Sequence, residues 1–146
     1  MRVIVDTNIL ISGLLSRKGA PAKIVDALLE GRILPVMSKE TFTELESVLA
    51  KPRLEVYFKD ACVLPEVFLE NIKALAEFVH PRPTETSIRD IKDIPFIELA
   101  ATIPQPEYLI TGDKDFEQKR YHGVSVVSAS FFVEEILALS KELINS

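Results

Sequence analysis

The residues best suited to chemistry are acids. Asp6 closes the short apolar run Val3-Ile4-Val5, and Asp113 and Asp115 follow the apolar run Glu107-Tyr108-Leu109-Ile110-Thr111. Both runs read as buried strands, and in a parallel sheet strand ends of one sense lie along one edge. Asp93, with Asp90 just before it, precedes a helix pattern, and Glu44 lies on another. Both are placed to reach that edge. Carboxylates gathered there repel one another unless a cation holds them, and Mg²⁺ and Mn²⁺ prefer such hard oxygen donors. An ion of this kind binds a phosphate oxygen, activates water and stabilises the leaving oxygen. Phosphodiester hydrolysis is the reaction class that fits best. Each acid also has a plainer use. Asp6 and Asp93 suit helix N-caps, Gly112-Asp113-Lys114-Asp115 suits a turn, and Glu44 could be a solvated helix acid. On the helical wheel Glu44 and Glu46 flank the same apolar stripe, and geometry alone does not choose between them.

The elements that must position these acids alternate between strand and helix. After Asp6, Ile9, Leu10, Leu14 and Leu15 mark a first helix. Ile24, Val25, Leu28 and Leu29 give a second over Pro21 to Glu30, stopped by Gly31. Ile33 to Met37 is a short strand, which Pro35 assigns to an edge. Ser38 caps a helix over Lys39 to Ala50, with Phe42, Leu45, Val48 and Leu49 inward. A short helical piece through Leu54 to Phe58 follows. A longer helix over Leu64 to Phe78 carries Val67, Phe68, Ile72, Leu75 and Ala76, and a brief extended segment covers Phe78 to His80. Pro81 to Thr84 is a loop. Pro95 begins a helix bearing Phe96, Leu99, Ala100 and Ile103. Val124 to Val127 is the last strand, and Ser130 to Leu143 the last helix, with Phe132, Val133, Ile136, Leu137 and Leu139 as its core face. The alternation predicts an α/β domain with a parallel sheet.

Composition narrows the function. A chain of 146 residues with 47% hydrophobic content predicts one domain with a substantial core. No apolar run is long enough for a membrane span, and Asp6 interrupts any signal-like start, so the expected location is cytoplasmic. The single cysteine, Cys62, excludes an internal disulfide and a cysteine-cluster metal site, and two histidines make a histidine-rich zinc site a poor fit. The net charge of −5 argues against a general nucleic-acid coat but suits an enzyme that binds nucleic acid through metal ions.

Taken in order, four motifs resemble one family. They are Val5-Asp6-Thr7-Asn8-Ile9-Leu10; the helix with Ser38, Phe42, Glu44, Leu45, Val48 and Leu49; Arg89-Asp90 with Asp93, Phe96, Glu98, Leu99 and Ala100; and Tyr108 to Phe116. Together they are similar to the PIN domains, especially those of prokaryotic toxin–antitoxin pairs, over essentially the whole chain. The resemblance implies a three-layer α/β/α sandwich with a parallel sheet, and a Mg²⁺- or Mn²⁺-dependent endoribonuclease. Its acidic set falls on Asp6, Glu44, Asp93 and Asp113. Asp6, Asp93 and Asp113 would hold metal, Asp115 would contribute further, and Glu44 would position water or act as general base. The resemblance is what favours Glu44 over Glu46. Asn8 and Thr111 match polar positions beside the family's site. Of the basic residues near the edge, Lys114, Arg17 and Lys18 could contact phosphates. An RNA substrate, an antitoxin partner and a homodimer are implied as well. Asp90 could share or exchange roles with Asp93. A catalytically silent PIN-like module that binds protein or RNA is the alternative, but it would need a broken acidic set. A phosphoacceptor signalling domain would need its acids arranged differently around a lysine.

Overall fold

The computed structural model describes residues 1–81, 93–112 and 120–139. Within them, the elements run β1 (Arg2–Val5), α1 (Thr7–Leu15), α2 (Ala20–Leu29), β2 (Leu34–Met37), α3 (Lys39–Leu49), α4 (Pro52–Asp60), α5 (Pro65–Leu75), β3 (Glu77–Phe78), α6 (Ile94–Ala100), β4 (Tyr108–Ile110), β5 (Arg120–Tyr121) and β6 (Val124–Val127). A final helix, α7 (Ala129–Phe131), continues into a π-helical stretch, Phe132–Leu137. The sheet order is β3-β2-β1-β4-β6-β5. All pairings are parallel except β5 with β6, which is antiparallel at the edge. This is an α/β sandwich.

β1 lies at the centre and is apolar on both faces because helices cover both. Val3 and Val5 face a cluster with α1, α2, α3 and α5. Ile4 faces a second cluster with Phe96, Ile97, Leu99 and Ala100 of α6. Alternate residues of a strand point to opposite faces, so one four-residue strand feeds both cores. Burying such side chains contributes roughly 1.5–3 kcal/mol each, which makes β1 the fixed point of the fold. α1 and α2 meet at Gly13, where an added Cβ would lie 2.5 Å from the Pro21 carbonyl oxygen and 2.5 Å from a Val25 methyl. Glycine is what allows that approach.

The structure corrects several sequence expectations. β2 is not an edge strand, since it lies between β1 and β3. Pro35 is tolerated because β3 pairs only with Val36 and Met37. The Leu34 N–H donates to the Met1 carbonyl, towards β1, so at Pro35 the missing N–H falls on the opposite side, before β3 begins. The helix expected to reach Phe78 stops at Leu75, and β3 follows. Val67, Ile103 and Leu139, expected inward, are exposed. For Ile103 the reason is that α6 ends at Ala100, before the pattern reaches it. The two-residue strand β5 was not anticipated, being too short to show periodicity. No helix among the described residues is long and apolar enough to cross a membrane.

Candidate active site

Three crossovers deliver polar side chains to the carboxyl edge of the sheet. β1 ends at Val5, and α1 begins at Thr7 with Asp6 as its N-cap. β2 ends at Met37, and α3 begins at Lys39 with Ser38 as its N-cap. The Ser38 hydroxyl accepts from the Thr41 N–H at 3.2 Å, while the Ser38 N–H donates to the Thr41 hydroxyl at 2.9 Å. This reciprocal cap fixes the start of α3, and Glu44 follows within its second turn. α6 connects the parallel strands β3 and β4, so it runs back against the strand direction and its first turn, headed by Asp93, lies at the same edge.

Asp6 caps α1, as its sequence position suggested, and its backbone and second carboxylate oxygen are tied as well. Its backbone N–H donates to the Ile110 carbonyl at 3.0 Å, extending the β1–β4 pairing by one residue. Its carboxylate accepts from the Asn8 N–H at 3.3 Å, as a cap does. The other carboxylate oxygen accepts from the Thr111 hydroxyl at 2.7 Å. Thr111 is held in turn, its N–H donating to Val127 at 3.0 Å. Asp6 is only 4% exposed. Both of these donors are uncharged, and together they fix the orientation of the buried carboxylate.

Glu44 is half-buried and accepts from the Thr7 hydroxyl at 3.0 Å, across the α1–α3 contact. Glu46 points elsewhere. It is exposed and lines an open groove of about 800 Å³ between the end of α3 and α4–α5, with Leu49, Phe58 and Leu64. Of the two acids flanking the α3 stripe, Glu44 is the one that meets the first turn of α1. Asp93 is buried. Further along α6, the Glu98 carboxyl is held above the ordinary carboxylate range by burial, with the Glu40 charge adding to the effect.

Asn8 is exposed at the start of α1, and its backbone rather than its side chain holds Asp6. Arg17 is engaged in an exposed ion pair with Asp26 at 2.6 Å, and Lys18 is exposed. Asp90, Asp113, Lys114 and Asp115 lie outside the described residues. Sequence reasoning missed Thr7 as a site residue. The available signal was a hydroxyl directly after a strand-end aspartate, in the first turn of a helix.

Among the described residues, no three His, Cys, Asp or Glu side chains are grouped so as to hold a metal ion. Asp6, Glu44 and Asp93 therefore do not close a metal site by themselves. Their donor chemistry nonetheless suits a hard divalent cation. They offer carboxylate oxygens only, at one sheet edge, and Asp6 and Asp93 are both buried.

Comparison with known proteins agrees with this architecture. An uncharacterized protein of Methanocaldococcus jannaschii is 29% identical over 115 residues, covering 79% of this chain and 72% of that protein. The sequence profile of the PIN domain, a nuclease-type fold whose nucleases typically use divalent metals, matches residues 2–115. That span runs from the first residue of β1 past the end of β4, taking in Asp6, Glu44, Asp93 and Asp113. The chain belongs to the PIN-domain family.

Proposed function

We propose that this chain is a Mg²⁺- or Mn²⁺-dependent endoribonuclease, acting as the toxin of a toxin–antitoxin pair. The observation that carries the reading is the orientation of Asp6 and Glu44. Both are held by hydroxyl groups at the carboxyl edge of the central strand, one by Thr111 at 2.7 Å and the other by Thr7 at 3.0 Å. A helix cap alone requires neither hydroxyl. Open α/β sheets place ligand sites at this edge, and the family is one of nucleases.

In this reading Asp6, Asp93 and Asp113 would hold the cation, with Asp115 as a further contributor. When bound, the ion supplies Lewis acidity towards a phosphate oxygen and lowers the pKa of water. The chain's own residues do the rest. Glu44 takes the proton from the attacking water and is aimed by Thr7. Thr111 and the Asn8 N–H keep the Asp6 carboxylate in one orientation. The Asn8 side chain and Lys114 meet the RNA backbone, and α6, packed on Ile4, sets the position of Asp93. The antitoxin and a homodimer complete the proposal. The antitoxin would act by covering the acidic edge.

The test is cleavage of a labelled single-stranded RNA in Mn²⁺, with EDTA and Asp6→Asn controls. Metal-dependent cutting lost in Asp6→Asn supports the nuclease. If cutting is equal in wild type and variant, it is not this protein's activity. If there is no cutting and calorimetry shows no Mn²⁺ binding, the reading is replaced by a PIN-fold module that only binds protein or RNA.

A further inference from the structure

We propose that Thr7 is the positioning residue of Glu44, an inference that rests on the nuclease reading for its catalytic consequence. Thr7 is 4% exposed although it is the first residue of a helix, a place where hydroxyl side chains usually meet solvent or the local backbone. Its hydroxyl has one proton to donate. That proton goes to Oε2 of Glu44 at 3.0 Å, a residue 37 positions away on α3.

A glutamate side chain is long and flexible, and holding one rotamer at a partly buried site costs conformational freedom. A charge-assisted hydrogen bond is strong enough to offset that. Thr7 can hold Glu44 because Thr7 is itself fixed. It follows Asp6, whose backbone N–H is tied to Ile110 and whose carboxylate is tied to Thr111. Consecutive residues at the end of β1 thus place two carboxylates, Asp6 directly and Glu44 through a hydroxyl. The placing of the two acids depends on the buried central strand and not on the packing of α3 alone. Packing in this buried position would be served as well by valine, which has the shape of threonine and no donor.

The experiment compares wild type with Thr7→Val and Thr7→Ser, with Thr7→Ala in place of the valine variant if that does not fold. In metal-free protein, the Glu44 side-chain carboxyl signal is followed by carbon NMR. In Mn²⁺, kcat and KM for RNA cleavage are measured. Thr7→Val is expected to shift and broaden the Glu44 signal and to lower kcat by about 10–100-fold, as loss of a supporting hydrogen bond does. KM should change little, and Thr7→Ser should restore both the signal and kcat. An unchanged Glu44 signal in Thr7→Val overturns the inference. So does a loss of activity that serine fails to rescue, which would mark a packing role. If wild type shows no metal-dependent cleavage, the nuclease reading fails by itself, and the NMR comparison still decides whether Thr7 holds Glu44.

Discussion

At the scale of single residues, a variant can separate the cap that Asp6 provides from the charge that the proposed site requires of it. Asparagine keeps a side-chain oxygen for the Asn8 N–H, so Asp6→Asn preserves the cap of α1. It removes a charge buried to 4% exposure. Metal-free Asp6→Asn should therefore melt at or above the wild-type temperature, while RNA cleavage falls by more than the roughly 10–100-fold typical of residues that only support a metal ligand. Thermal melting and the cleavage assay together check this. Thr111→Val should do the opposite to stability. It leaves the Asp6 carboxylate without its 2.7 Å donor and should cost about 1–3 kcal/mol in chemical denaturation. Glu98 gives a pH signature. Burial, with the Glu40 charge behind it, raises its folded-state pKa. The folded protein then binds more protons between the unfolded and folded values, so stability is full below the unfolded pKa and is lost as pH rises through the folded one. Glu98→Gln should flatten that fall and be more stable than wild type above the window, by less than about 1 kcal/mol because the group is only partly buried and solvent screens it. Melts across the acid range read the difference.

At the scale of elements, Gly13 sets how closely α1 approaches α2. Alanine there would place its Cβ 2.5 Å from backbone and side-chain atoms of α2, and the Pro21 carbonyl cannot yield cheaply. Gly13→Ala should destabilise the protein by about 1–3 kcal/mol despite alanine's better helix propensity, measured as a lowered denaturation midpoint at unchanged slope. Nothing in the sequence distinguished this glycine, since close approach is a property of two helices and not of one. What one segment determines was readable in advance. The alternation of strands and helices, the Ser38 cap and the strand Val124–Val127 all depend on local pattern. What depends on neighbours was not. Pro35 implied an edge and instead lies beside a neighbour too short to need its N–H. The candidate site divides the same way. Asp6 stood out because a strand runs into it, whereas Glu44 and Glu46 were equivalent until the first turn of α1 met one of them.

At the scale of the whole molecule, the net charge is −5, and the proposed site gathers acids at one sheet edge. An ion bound only by the folded state stabilises it by mass action, about 2.7 kcal/mol at a hundredfold excess over Kd. For a domain of this size one kcal/mol corresponds to roughly 2–4 °C in melting temperature. Mn²⁺ at that excess should therefore raise the wild-type Tm by about 5–10 °C. Cation screening of an acidic surface would also raise Tm, but it would do so equally in any variant and would be matched by monovalent salt at equal ionic strength. A site effect should vanish in Asp6→Asn and persist in Glu46→Gln, because Glu46 lines the groove by α4–α5 rather than the sheet edge. Melts of the three proteins with Mn²⁺ and with NaCl separate the two causes. A Mn²⁺ shift retained in Asp6→Asn would place the ion away from the strand end and remove the structural basis proposed for catalysis.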